Sequence, residues 1–186
     1  ASNTLKGGNH NDTVEAVGGS NKVYGENGAD TLKVWGAKNT VEGGNDNDFI
    51  KAYAASNTIK GGNHNDRIEA AGGSNTFYGE HGHDNIKAWG LSNKVYGGDH
   101  NDTIEVFAAS NTINAGSGND VVKAAGGKNN INASSGDDKV TAYGGYNTIT
   151  SSSGHNTITA AGVVNEITTG SGNDKISADG GGNIIK

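Results

Sequence analysis

The chain has 186 residues, of which 32 are glycine, and it contains no proline, cysteine or methionine, so disulfides and cysteine-ligated zinc are excluded. Only 32% of the residues are hydrophobic, which is low for a domain that must bury a large core. The formal net charge of −6 argues against nucleic acid as a partner, because a nucleic-acid-binding protein needs a basic face.

An 18-residue repeat runs along the chain with no insertion or deletion. Positions reached from Asp12 in steps of 18 hold aspartate in nine cases out of ten, and the exception is Asn156. The same step from Asn3 reaches asparagine every time, up to Asn183. This regularity predicts a stack of similar units rather than an ordinary globular core.

The unit from Gly7 to Tyr24 divides into two nonamers, GGNHNDTVE and AVGGSNKVY. Each nonamer begins with a glycine-rich turn and ends in a short strand with alternating apolar residues. One unit therefore predicts one coil of a flattened solenoid, with neighbouring coils about 4.8 Å apart. We expect an all-β fold, a parallel β-roll or two-sheet β-solenoid of about ten 18-residue coils, in which residues 1–186 form one segment of a larger protein.

Three columns of residues are expected to face the interior, because they lie on one face of the alternating strands. The first strand contributes Val14, Leu32, Ile50, Ile68, Ile86, Ile104, Val122, Val140, Ile158 and Ile176. The second strand contributes Leu5, Val23, Val41, Ile59, Phe77, Val95, Ile113, Ile131, Ile149, Ile167 and Ile185. Two places after the first column lie Ala16, Val34, Ala52, Ala70, Ala88, Val106, Ala124, Ala142, Ala160 and Ala178.

One of the two turns in each coil carries the asparagine column. An inward-pointing asparagine in every coil can form amide-to-amide hydrogen bonds along the stack. It can also bond backbone groups of its own turn. We therefore interpret this column as structural.

The other turn carries the aspartate column, in segments such as GGNHNDTVE, GGNDNDFIK and AGSGNDVVK. These segments resemble the calcium-binding nonapeptide G-G-x-G-x-D-x-U-x of RTX (repeats-in-toxin) proteins, whose successive loops hold Ca²⁺ through aspartate carboxylates and backbone carbonyls. The resemblance implies the carboxylate ligands Asp12, Asp30, Asp48, Asp66, Asp84, Asp102, Asp120, Asp138 and Asp174. It also implies carbonyl ligands from the third residues of the turns, Asn9, Asn27, Asn45, Asn63, His81, Asp99, Ser117, Ser135 and Ser171.

Two physical arguments favour Ca²⁺ on this edge of the solenoid. Ca²⁺ takes roughly six to eight hard oxygen ligands and tolerates irregular geometry. Stacked carboxylates about 5 Å apart would repel each other without a cation between them. The alternative is a metal-free solenoid in which aspartate only caps backbone N–H groups.

Several turns depart from the motif. The second position, which is glycine in the motif, holds glutamate in two coils, Glu26 and Glu80. The segment SSSGHN at 151–156 lacks the aspartate and a glycine, so we expect calcium to be absent on both sides of this coil. The asparagine turn has no aspartate column, which predicts calcium on one edge only. The fourth position, also glycine in the motif, holds residues that tolerate a left-handed backbone in four coils, His10, Asp46, His64 and His100.

An aromatic column lies on the outside of the first strand. Exposed aromatic rings could contact a host cell surface, a membrane or a glycan. Stacking between coils explains the column without any partner, and it is the interpretation that we prefer. The column contains Trp35, Tyr53, Trp89, Phe107 and Tyr143.

The units most resemble the C-terminal 18-residue repeats of multifunctional-autoprocessing RTX toxins. This resemblance implies a segment of a large secreted bacterial toxin that folds outside the cell on binding calcium. Such a segment would support secretion, host-surface interaction or effector translocation. We expect no enzymatic activity, because all coils carry similar residues and none has a unique nucleophile or base.

Two alternative functions remain open. An accessory carbohydrate-binding module of a polysaccharide-processing enzyme would use the aromatic column. A repeat adhesin or an ice-binding β-solenoid would present a regular outer face, and ice binding usually needs an uninterrupted array of threonine. Other residues interrupt the threonine column formed by Thr40, Thr58, Thr76, Thr112 and Thr148.

Overall fold

The computed structural model describes residues 1–186 and contains β-structure without helices. The strands join side by side into one parallel sheet that winds along the chain. No helix is long and apolar enough to cross a membrane. The strands are β1 (Ser2–Asn9), β2 (Thr13–Asn27), β3 (Thr31–Asn45), β4 (Phe49–Asn63), β5 (Arg67–His81), β6 (Asn85–Asp99), β7 (Thr103–Ser117), β8 (Val121–Ser135), β9 (Lys139–Ser153), β10 (Thr157–Thr168), β11 (Lys175–Asp179) and β12 (Gly182–Ile185).

Neighbouring strands pair in a register of 18 residues. Ile50 aligns with Ile68, and Asn57 aligns with Asn75. Strands β11 and β12 both pair with β10 and together form the last coil. A local irregularity occurs at Ser134, which pairs with Ser151. The structure therefore confirms the predicted parallel β-solenoid of about ten coils with 18 residues each.

From β2 to β9 the two predicted strands of each coil are one continuous strand of 15 residues. In β4 the buried residues have even numbers up to Ala52 and odd numbers from Asn57 to Gly61. This change shows that the chain turns a corner at residues 54–56, while its pairing with the neighbouring coil continues around that corner. In these coils only the aspartate turn, such as His64–Asp66, interrupts the strand, whereas the last coil is also interrupted at the asparagine corner, between β11 and β12.

The core is a single cluster of 28 buried hydrophobic residues. The predicted inner columns are buried through the middle of the solenoid, and Phe77 is the largest side chain among them. Ile185 was predicted to face the core, but it is 53% exposed because no further coil covers it. The terminal coils are packed on one side only, so four more members of the predicted columns are partly buried, namely Leu5, Val14, Ile176 and Ala178.

The asparagine column forms a ladder of hydrogen bonds through the buried corner of the solenoid. The Nδ2 atom of Asn57 donates to Oδ1 of Asn75 at 2.8 Å, and Nδ2 of Asn75 donates to Oδ1 of Asn93 at 2.9 Å. Asn75 also donates to the backbone carbonyl of Trp89 at 3.1 Å. Because these amides are buried and bonded to each other, the structural interpretation of the column is confirmed.

Aromatic rings stack between neighbouring coils on the outer face, as the preferred interpretation requires. The ring centroids of Trp35 and Tyr53 are 6.2 Å apart, and those of Trp89 and Phe107 are 6.4 Å apart. The planes within each pair are inclined by 16° or less. Ala71 lies between the two pairs in the same column, so the stack of rings is interrupted there.

We expect Asn75→Ala to lower the free energy of unfolding by about 2–3 kcal/mol in saturating calcium. The substitution removes the acceptor of Asn57 and the donor to Asn93, and each buried polar group that loses its partner destabilises the fold. Guanidinium denaturation followed by circular dichroism measures this change. The matched control is Asn130→Ala, because Asn130 is exposed on the outer face. An equal loss in both variants would contradict the structural role of the ladder.

Candidate metal centre

Each aspartate of the column lies directly before a strand, and its side chain points into the coil. From Asp30 to Asp138 these residues are only 1–2% exposed. One oxygen of each carboxylate, Oδ1, accepts a hydrogen bond from the backbone N–H of the aspartate one coil earlier. In the middle of the chain, Oδ1 of Asp66 lies 2.8 Å from the backbone nitrogen of Asp48. The backbone therefore fixes one oxygen of every carboxylate in this part of the column.

The second carboxylate oxygen, Oδ2, is buried without a hydrogen-bond partner in eight coils. An unpaired buried anionic oxygen is costly, so each of these positions favours a proton or a cation. In the first six coils, glycine at the first turn position leaves the space that this oxygen occupies, because a Cβ atom on Gly61 would collide with Oδ2 of Asp66. The eight residues are Asp12, Asp30, Asp48, Asp66, Asp84, Asp102, Asp120 and Asp138.

Burial raises the pKa of the carboxyl groups from Asp30 to Asp138. The pKa rises to about 8 for Asp66 and Asp102 and to about 7 for Asp48 and Asp138. The backbone hydrogen bond to each carboxylate lowers the pKa, but the effect of burial is larger. Near neutral pH a proton and a cation would therefore compete for the same oxygen.

Asp174 differs from the rest of the column. It is partly exposed, and its Oδ1 accepts hydrogen bonds of 2.9 Å from both the backbone nitrogen and the side-chain Nδ2 of Asn156. The bond from the backbone N–H of Asn156 is the main cause that lowers the pKa of Asp174, and the hydroxyl of Thr169 adds to it. Groups of the protein therefore already stabilise this carboxylate as an anion.

In the first eight coils the backbone of the aspartate turn is left-handed at its second and fourth positions. In one turn, φ is 121° at Gly44 and 75° at Asp46. The non-glycine residues Glu80 and His64 have φ values of 80° and 76° at the same two positions of other turns. The turn therefore keeps its shape where the motif loses a glycine, as we predicted for histidine and aspartate.

The third residues of the turns, which we predicted as carbonyl ligands, form side-chain contacts along the outer edge. Nδ2 of Asn63 donates to Oδ1 of Asn45 at 2.7 Å, and Nδ1 of His81 lies 2.9 Å from Oδ2 of Asp99. The backbone carbonyl of Ser135 accepts a hydrogen bond from the N–H of an earlier turn at 3.0 Å. These contacts hold the third residues in register, and their role as calcium ligands remains a prediction.

Sequence reasoning missed the fifth residue of the turn, which forms another ladder. The side-chain oxygen of Asn47 accepts the backbone N–H of Asn65 at 2.8 Å, and Asn65 accepts the N–H of His83 at 2.8 Å. Asp137 accepts the N–H of His155 in the same way at 2.7 Å. The signal was present in the sequence as the frequent asparagine immediately before the aspartate column.

No three histidine, aspartate or glutamate side chains converge as a metal-binding cluster. A cation on this edge would therefore be held by single carboxylates and by backbone carbonyls. The family model described as the RTX calcium-binding nonapeptide repeat (4 copies) matches residues 6–34, 36–63, 60–90, 92–106, 96–131, 107–140, 124–158 and 164–185. The chain belongs to the RTX calcium-binding repeat family. Comparison with curated proteins and with solved structures gives no match.

Because the chain belongs to the RTX calcium-binding repeat family, the ion that it binds is Ca²⁺. The residues present fit that ion, because carboxylate and backbone carbonyl oxygens are the ligands that Ca²⁺ prefers. The unpartnered Oδ2 atoms supply one such oxygen in each of eight turns. Bound calcium would provide the positive charge that these buried carboxylates lack.

Without calcium, we expect the folded chain to be more stable at about pH 5 than at about pH 8. Asp66 and Asp102 have a pKa of about 8 in the folded chain, whereas an unfolded aspartate has a pKa of about 3.9. The folded state therefore binds more protons between these values, and the stability gained from them is lost as the pH rises towards 8. Urea denaturation in EDTA across this pH range measures the effect.

The double variant Asp66→Asn and Asp102→Asn serves as the control for this pH dependence. It lacks the two groups with the highest pKa values, so its stability in EDTA should change less with pH. A wild-type chain that becomes more stable in EDTA as the pH rises from about 5 to 8 would contradict the prediction.

Proposed function

We propose that this RTX chain is a calcium-responsive segment of a large secreted bacterial protein, and that it becomes ordered outside the cell. The carboxylates of Asp12 to Asp138 in the aspartate column bind Ca²⁺ together with carbonyls of the third turn residues. The observation that carries the proposal is the row of buried Oδ2 atoms without partners. The 18-residue units favour a protein of the multifunctional-autoprocessing toxin type, in which the ordered rod supports secretion, host-surface interaction or effector translocation.

Calcium couples to folding through the cost of burying this row of carboxylates. Where calcium is scarce, folding brings ionised aspartates into a buried column at coil spacing, and burial and mutual repulsion oppose it. Where calcium is abundant, the ion binds the folded state and shifts the equilibrium towards it. The low calcium concentration of the cytosol would keep the coils from Asp12 to Asp138 unfolded for export, and the extracellular concentration would fold them.

We expect calcium to increase the β-structure measured by circular dichroism at neutral pH, and EDTA to reverse the change. The triple variant Asp48→Asn, Asp66→Asn and Asp84→Asn replaces adjacent carboxylates in the middle of the rod. It should bind fewer calcium ions than the wild type in equilibrium dialysis, because each substitution removes an anionic Oδ2.

The control for this experiment is Asp179→Asn, which removes one negative charge from an exposed residue outside the aspartate column. Its calcium stoichiometry should equal that of the wild type. A wild-type chain that is fully folded in EDTA and unchanged by calcium would refute the proposed coupling.

A second candidate function is contact with a glycan through the aromatic column. The observation that favours it is that the stacked rings remain exposed, from 36% for Trp35 to 44% for Phe107. The interruption at Ala71 leaves a ring face of Tyr53 and a ring face of Trp89 uncovered by another aromatic residue. Flat aromatic faces of this kind provide apolar contact for a sugar ring.

The glycan candidate predicts binding to a polysaccharide array in calcium, and loss of that binding in Trp35→Ala with Trp89→Ala. Removing the rings takes away the contact area but leaves the inner columns unchanged. Val163→Ala is the control, because it removes an exposed apolar side chain outside the aromatic column. Equal binding by the tryptophan variant and by the control would exclude this function.

A further inference from the structure

Asn156 takes the place of aspartate in the ninth coil and is 1% exposed. Its Oδ1 accepts the backbone N–H of Asp138 at 3.0 Å, which is the role that Oδ1 of aspartate has in the other coils. Its Nδ2 therefore corresponds to Oδ2, the oxygen that has no partner elsewhere in the column. The two side chains have nearly the same shape, but an amide nitrogen carries hydrogen where the carboxylate oxygen carries negative charge.

The Nδ2 atom of Asn156 lies among oxygens. It donates to Oδ1 of Asp174 at 2.9 Å and to the backbone carbonyl of Gly154 at 3.3 Å, and the carbonyl of Ser153 lies 3.5 Å away. Ser153 holds the third turn position, whose carbonyl is a predicted calcium ligand in the other turns. The amide thus satisfies a carboxylate and turn carbonyls, which are the groups that a calcium ion would bind.

Hydroxyl groups reinforce this metal-free arrangement. The Oγ atom of Ser152 donates to the carbonyl of Ser134 at 2.6 Å, and the Oγ atom of Ser151 lies 3.4 Å from the same carbonyl. Ser151 and Thr169 occupy the first turn position, which is glycine in the first six coils. The turns around Asn156 therefore satisfy their oxygens with side chains of the protein.

We propose that the side-chain amide of Asn156 replaces a calcium ion, so that the calcium array ends at Asp138 and the last two coils hold together without metal. This inference rests on the proposed calcium function of the aspartate column. On this proposal, Asn156 marks the coil at which the folding of the chain ceases to depend on calcium. Asp174, although it belongs to the column, binds Asn156 instead of calcium.

The test is hydrogen–deuterium exchange of the whole chain in EDTA and in calcium, at neutral pH. In EDTA, the wild-type amides of Asp138, Asn156 and Lys175 should exchange at least about tenfold more slowly than the corresponding amides around Asp66, a difference of about 1.4 kcal/mol. Asn156→Asp should remove this protection in EDTA, because it replaces the donor with an anionic oxygen. Calcium should restore the protection in that variant.

Three further variants separate the effect of the Asn156 amide from a general effect of mutation. Asn156→Ala should lose the protection in EDTA without recovering it in calcium, because alanine can bind neither the turn oxygens nor the ion. Asn130→Asp adds the same charge as Asn156→Asp on an exposed outer position and should exchange like the wild type. The reciprocal change Asp66→Asn should increase protection around residue 66 in EDTA and remove one bound calcium ion.

Asn156→Asp exchanging like the wild type in EDTA would overturn the inference, and so would wild-type protection around Asp66 equal to that around Asn156. Either result, obtained with a wild-type chain that binds calcium, would leave the proposed function standing. A wild-type chain that binds no calcium would refute the proposed function. The exchange rates in EDTA would still decide whether the Asn156 amide holds the last coils together.

Discussion

The burial of one carboxylate in each of eight successive coils is the constraint on which the rest of this structure depends. The backbone N–H of the preceding coil satisfies one oxygen, and in the first six coils the second oxygen lies over a glycine that leaves space for it. The left-handed turn residues bring the chain back to the same place in each coil. Because each buried carboxylate is bonded to the next coil, a ligand that supplies positive charge along this edge would act on neighbouring coils together.

The asparagine corner, at the opposite side of the coil, also buries a polar side chain in each coil, but this side chain has no charge. Asparagine carries a donor and an acceptor on one side chain, so Asn57, Asn75 and Asn93 satisfy one another in a buried row. Aspartate in that row would have only acceptors and would leave its neighbours unpaired. The two corners of the solenoid are therefore chemically different: the asparagine corner satisfies its own polar groups, whereas the aspartate corner leaves one carboxylate oxygen unpaired in eight coils.

The sequence was sufficient to predict the coil, its inner columns and the aspartate edge, because the 18-residue step aligns like residues and the alternation of strands separates inside from outside. It was not sufficient to predict that the strand continues around the asparagine corner, since that depends on backbone pairing rather than on residue type. The ladder formed by Asn47 and Asn65 was also missed, because asparagine in a turn usually bonds its own backbone. The contacts of Asn156 depend on the direction in which its side-chain amide points, and the sequence alone does not specify that direction.

The shared register has a consequence for how such a molecule changes length. Adding or losing one residue would move apolar side chains from the inside to the outside and would separate every later amide and carboxylate from its neighbour. Duplication or deletion of a complete 18-residue coil leaves all the ladders aligned. Rods of this kind can therefore grow or shrink in evolution by whole coils, while insertions are tolerated only where they leave the stack untouched.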